Sequence, residues 1–535
     1  MNANRLTPAV LLGVLLGGAP TPAAAQTPAH DHQLGTLDFP VSCSELAQQE
    51  FNRAVALLHH MTYPRAAEAF RQVGQTDSTC AMAHWGVAMT LFQPLWPTRP
   101  GPDDLRRGWE AVERARALGL PTERERLFVE AAAAFFEEPG STDYWARLGR
   151  WEQGMGRLHA AFPDDPETAA FYALALLAVT PPDRVTRANG DSAARLLESV
   201  YRRNPDHPGA MHYLVHANDV PGRERELLEV VRRYETVAPR NPHALHMPTH
   251  IYTRLGDWDA VIRGNLHAAE AALGQRAGDR GQYVWDEFPH AVEYLVYAYL
   301  QQGADDSAAA QLARLRGTDS LQPTFKTAFH LASTAARYAL ERRAWREAMA
   351  LAPREPAALA WDRFPWAEAV TWFARGLGAA RAGEPDQAGR AATRLAELEG
   401  VADKAGEVLF ARNIRILRLE VDAWRSHLAG NTDSGVTLLR QAVELEASTP
   451  KHAVTPGPTL PAAELLGDLL LEAGRAGEAL AAYRQSLADY PRRFNSLLGA
   501  SRAAQATGDT TAARAFHRQL LEVAPRSRRA TSPGP

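Results

Sequence analysis

Two imidazoles one helical turn apart can share a metal ion, and the chain writes that arrangement twice. His212 and His216 lie in Met211–Asp219 (MHYLVHAND), and His246 and His250 lie in His243–Leu255 (HALHMPTHIYTRL). Residues four apart on a helix occupy one face, so each pair presents two ring nitrogens in one direction. Imidazole suits zinc, copper, iron or nickel, and a divalent transition metal such as zinc or copper is the cofactor this donor set implies. The second pair follows the first by 34 residues (246 − 212), the spacing of a helical-hairpin repeat whose units stack side by side. Adjacent helices pack roughly 8 to 10 Å apart, so the pairs are able to close on one tetrahedral ion or to hold two ions side by side. Each histidine taken singly reads instead as a neutral, hydrogen-bonded packing residue. A third reading makes the rings protonated, binding an acidic peptide or carboxylate with help from Arg254.

Other chemistry is absent from the pattern. The segment His212-Tyr213-Leu214-Val215-His216 lacks the glutamate that a zinc protease sets after its first histidine. No glycine-rich phosphate loop, Gly-x-Ser-x-Gly elbow or spaced Cys-His set occurs. Of the neighbours His59 and His60, whose side chains diverge by roughly 100°, only one is expected to face a groove.

The elements that must position these residues are helices. Apolar residues keep a helical period from Glu45 to about Ala524, with no strand-like alternation. Leu466-Gly467, Gly474, Ala479, Tyr483 and Pro491 are followed by Gly508, Ala513 and Pro525, each 34 residues after its counterpart (508 − 474, 513 − 479, 525 − 491). Small residues suit close approach of two helices, a large apolar residue fills the gap beside them, and proline ends the second helix. This pattern resembles the tetratricopeptide repeat. The resemblance implies an all-α, helical-hairpin solenoid, a right-handed superhelix, with divergent helical pairs in the N-terminal half. Phrases such as Leu57-Leu58-His59-His60 and Cys80-Ala81-Met82-Ala83-His84-Trp85-Gly86 look like those of exported bacterial members of the family.

In that family the first helix of each unit lines a concave groove that takes a protein or peptide, which makes a binding scaffold the first functional expectation and a metalloprotein or metal-dependent enzyme the second. The same phase sets His212, His216, Asp219, His243, His246, His250 and Arg254 on the groove. His290, Glu293 and Tyr297 follow in the next unit, His59 joins from the first repeat, and His330 is placed less firmly. Pro248 interrupts the expected helix, which either starts there, leaving His243 and His246 in an extended lead-in, or is kinked.

Residues 1–25 read as a signal peptide: Arg5, an apolar run Ala9 to Leu16, and small residues Ala23-Ala24-Ala25. Export to the periplasm or beyond is expected, and no later run is long enough to span a membrane. The remaining divisions are a flexible lead 26–44, an N-terminal repeat pair 45–96, a divergent helical region 97–204, a central His-rich array 205–447, a Pro-rich linker 448–461, a C-terminal repeat pair 462–526 and a disordered tail 527–535. Two cysteines, Cys43 and Cys80, are expected to close as a disulfide in an oxidising compartment, with buried thiols or a soft-metal site as the alternatives. The net charge is −4 and only three of 58 basic residues are lysine, Lys326, Lys404 and Lys451, which argues against a nucleic-acid partner.

Overall fold

Alanine, leucine and arginine dominate the chain, and all three favour helix. The computed structural model describes Met1 and residues 33–96, 99–138, 143–179, 188–278 and 280–531. Residues 2–25 of the expected signal peptide, 26–32 of the expected lead and 532–535 of the expected tail lie outside them. Helices follow one another in antiparallel pairs from Glu45–His59 and Tyr63–Thr76 to Phe494–Ala506 and Thr510–Val523. The divergent region is helical throughout its described length, from Pro102–Leu118 to Ala188–Arg203. Among the described residues the one sheet is a hairpin of two-residue strands, Arg276–Ala277 against Tyr283–Val284, where no alternation predicts it.

The repeat chemistry works as its residue types require. The Tyr483 ring fills the space over Gly467 and Gly499, where a Cβ would stand 2.7 and 2.3 Å from it. Gly256 ends the helix Pro248–Leu255 with φ 65°, and a Cβ there would lie 2.6 Å from the Pro491 carbonyl oxygen. That contact joins the C-terminal repeats to the central ones. Trp258 Nε1 donates to the Arg492 carbonyl at 3.1 Å, and Arg493 donates to Tyr297 Oη at 3.0 Å and to Glu341 and Glu464. The superhelix therefore closes on itself, and its groove becomes interior.

Three segments differ from their expected character. Residues 33–44 are packed rather than a loose lead, because Phe39 is fully buried among Phe51, Trp85 and Phe128. Residues 448–461 are not a solvated linker. Val454 and Leu460 are buried, Arg337 donates to the Pro458 and Gly457 carbonyls, and Lys451 pairs with Asp219 at 2.7 Å. At the end of the chain, Arg528–Thr531 forms a helical turn held by Arg529, which donates to the Glu341 carbonyl at 2.9 Å. Cys43 and Cys80 are joined as a disulfide.

Candidate metal centre

The helix Pro208–Asn218 starts with proline in its first turn and carries His212 and His216 on its inner face. Pro242–His246 and Pro248–Leu255 meet at Met247, whose backbone stays helical at φ −54°, ψ −42°. Pro248 thus kinks a helix, and His243 and His246 sit in a helical turn rather than an extended lead-in. His290 comes from Glu287–Gln301 and His330 from Phe325–Glu341. All except the half-buried His216 are buried.

The rings assemble into two sets of three. One ring nitrogen each of His212, His216 and His243 lie within 4.8 Å of one another, and so do those of His246, His250 and His290. Each His-x-x-x-His pair takes its third member from the helix after next, across Leu228–Val237 in the first set and Trp258–Leu273 in the second. The sets are neighbours: the His216 and His250 rings are 6.2 Å apart between centroids, and so are those of His243 and His246.

The hydrogen bonds behind the rings settle where the protons are. His212 Nδ1 is 2.5 Å from the His59 carbonyl oxygen, which only accepts, so Nδ1 carries the proton and Nε2 a lone pair. His243 Nδ1 donates to Glu287 at 3.0 Å, His250 Nδ1 to Asp219 at 2.8 Å, and His330 Nδ1 to Glu293. Burial alone pushes each of these carboxyls up. Lys451 and Arg254 outweigh it at Asp219, Lys326 and the hydrogen bond from His243 at Glu287, and the His330 hydrogen bond with Arg337 at Glu293, so all three are held below the usual range and accept only. His246 Nδ1 donates to Asn265 Oδ1 at 2.7 Å, and the amide is oriented by Asn265 Nδ2, which donates to the Val261 carbonyl.

With every ring neutral, the inner nitrogens of His212 and His243, and of His246 and His250, face each other as lone pairs. His212 Nε2 and His243 Nε2 are 3.1 Å apart, and His246 Nε2 and His250 Nε2 are 3.0 Å apart. His216 Nε2 stands 3.1 Å from His212 Nε2. His290 Nδ1 donates to His330 Nε2 at 3.0 Å, which leaves its Nε2 as a further lone pair. Extra protons are a poor remedy. Burial holds His212, His216, His246 and His290 well below the ordinary imidazole range, and in each a neighbouring histidine is the next cause. His250 is pushed down to about 4 by burial and then by Lys451.

A third group, His59, Glu167 and His207, meets the same distance test. Glu167 accepts from His59 Nε2 at 2.8 Å and from His207 Nε2 at 3.1 Å. Tyr213 Oη bonds His59 Nδ1 at 3.0 Å, and His207 Nδ1 accepts from the Ala210 N–H at 3.1 Å. Gly209 lies under the His59 ring, where a Cβ would come within 2.6 Å of Nδ1. His60 is buried as well, bonded to Tyr234 Oη and the Leu34 carbonyl.

Of the groove residues expected from the sequence, His212, His216, His243, His246, His250 and His290 are brought together, with Asp219, Arg254 and Glu293 directly behind them. Tyr297 stands instead against Arg493, and His59 belongs to the third group. The sequence reading did not pick out Glu287, Asn265, Glu167 or His207. Beside His216, Asp219, Arg254 and Lys451 opens a cavity of about 480 Å³.

No family model matches the chain, and no curated protein does. Among solved structures it is similar to a human IFIT1 dimer with m7Gppp-AAAA, at 12% identity and a TM-score of 0.37, over 83% of this chain and 90% of that one. It is also similar to the APC/C hetero-tetramer Cut9-Hcn1, at 14% identity and a TM-score of 0.29, over 91% of this chain and 96% of that one.

Proposed function

We propose that this protein is a metalloprotein holding two neighbouring transition ions, one on His212, His216 and His243 and the other on His246, His250 and His290. One observation carries the reading: ring nitrogens whose opposite nitrogens are held by acceptors face each other at 3.0 to 3.1 Å in a buried site, an arrangement that repels between neutral rings unless a cation lies among them. Carboxylate, amide or carbonyl groups hold the Nδ1 protons of four of the ligands and His330 that of His290, the second layer that orients metal-binding histidines. Six neutral donors favour a late first-row ion, and copper stands ahead of zinc by its affinity for imidazole and by the lower charge of its reduced form in a buried, all-neutral site.

Three protein ligands leave a coordination position free, so the ions would supply a Lewis acid or a redox couple to a small molecule reaching His216 through the cavity. A metal-dependent enzyme acting on a small molecule is thus the preferred reading. A protein- or peptide-binding scaffold ranks behind it, since the groove at these repeats is filled by the chain's own side chains. Export is part of the proposal, supported by the N-terminal apolar run and the Cys43–Cys80 disulfide, and a reporter fusion carrying residues 1–40 tests it.

The direct test is metal analysis of tag-free protein supplied with copper or zinc. Two ions per chain are expected, falling to one in His212→Ala/His216→Ala. Stripping metal should lower the melting temperature, because an ion present at 100 times its Kd contributes about 2.7 kcal/mol. Wild-type protein that takes up neither metal would defeat the reading.

A further inference from the structure

The cavity beside the histidines has a second chemical feature at Glu420 and Glu446, which both line it. Glu420, on the helix Val408–Leu428, is fully buried, and neither of its carboxyl oxygens has a hydrogen-bond partner. Among the described residues Glu446, on Thr432–Ala447, accepts only from the Ala462 N–H at 3.3 Å and from Tyr490 Oη at 3.4 Å. Elsewhere in this interior carboxylates sit against cations: Glu287 against Lys326, Glu293 against Arg337, Asp219 against Arg254 and Lys451, Glu464 against Arg493. No ion pair reaches Glu420 or Glu446 among the described residues. Glu420 and Glu446, which lack a cation, both belong to the wall of the cavity.

A buried carboxyl with both oxygens unbonded is costly whether ionised or protonated. Ile416, Leu417, Val443 and Leu460 add apolar wall to the same cavity. A hard divalent ion wants six or more oxygens, more than two carboxyls in an aliphatic wall provide. A primary ammonium brings three N–H donors and one positive charge on an apolar stem, which matches this end of the cavity in charge, donor count and surroundings. We propose that the cavity binds a small-molecule primary amine, its ammonium between Glu420 and Glu446 and its apolar body along Ile416, Leu417, Val443 and Leu460. The amine site stands independently of the metal reading, although both share one cavity.

Proton release follows from the same arrangement. Glu446 is pushed up to about 8, first by burial and further by Asp489, with the Ala462 N–H, Tyr490 and Arg493 acting the other way. Glu420 is raised by burial and then by Glu446. Glu446 therefore holds a proton near neutral pH in the free protein, and an arriving ammonium expels it.

The test is calorimetry of phenethylamine and of the uncharged phenethyl alcohol at pH 7, on the full chain both as purified and after metal stripping, in two buffers of different ionisation enthalpy. The amine should bind at least ten times more tightly than the alcohol, with protons released to buffer, in both preparations. E420Q/E446Q, of nearly unchanged shape, should lose that preference and the proton release. The proposal is overturned by an alcohol that binds as well as the amine, by amine binding without proton release, or by a double variant that keeps the preference. Should that variant not fold, the wild-type proton count still decides. Loss of amine binding only on stripping would assign the amine to the metals and overturn the carboxyl site, while leaving the metal reading intact.

Discussion

The three groups that pass the distance test for a metal are of two kinds, which differ in their proton count. Around Glu167, each ring nitrogen of His59 and His207 meets a complementary group: carboxylate, hydroxyl or backbone N–H. That group is complete with no ion. Around His212 and His246 the outward nitrogens are bound to acceptors, so lone pairs are left to face lone pairs. Proximity of histidines is thus weak evidence for a metal, whereas the direction of the hydrogen bonds behind them is strong evidence.

The comparison breaks or holds most sharply on metal content. His212→Ala/His246→Ala should remove a ligand from each set and abolish tight binding of both ions, read by metal analysis with the helical circular dichroism retained. Glu167→Gln should leave both ions in place and instead cost stability. The amide NH2 replaces one of the two carboxylate oxygens and sets a donor against an imidazole N–H, and a buried group left unsatisfied costs about 1 to 3 kcal/mol. Denaturant unfolding of the metal-free variant measures it. Metal loss in Glu167→Gln would erase the distinction between the clusters.

Much of this was legible in the chain, for identifiable reasons. The 34-residue offset and the Gly474, Ala479 and Pro491 pattern report short-range packing, which local sequence carries well. The same phase found the six histidines, because helical period dictates their face. What stayed hidden depends on contacts distant in sequence. His59 supplies a carbonyl to His212 across 153 residues, and His207 and Glu167 meet across 40. Closure of the superhelix was equally hidden, so an expected linker at 448–461 turned out to seat Lys451 on Asp219. One signal was available and unused. In a chain with 55 arginines (58 − 3), a lysine is an exception, and two of the three, the buried Lys326 and the half-buried Lys451, stand next to the carboxylates behind the histidines.

The smaller effect, and the finer test of the contrast, lies one bond beyond the metal ligands. Asp219 accepts from His250 Nδ1 and from Arg254 and Lys451, and it touches no ring of the first set through a hydrogen bond. Asp219→Asn retains the shape but weakens the acceptor, and loss of such a partner typically lowers metal affinity by about 10- to 100-fold. The loss should fall on the His246, His250 and His290 ion, leaving the His212, His216 and His243 ion near its wild-type affinity. Competition against a chelator of known affinity resolves the two as separate steps. If both steps weaken together, the six histidines form one coupled centre rather than two adjacent ones. If neither moves, the carboxylate serves Arg254 and Lys451 alone, and the proton on His250 Nδ1, on which the lone-pair count at that site depends, must be assigned again.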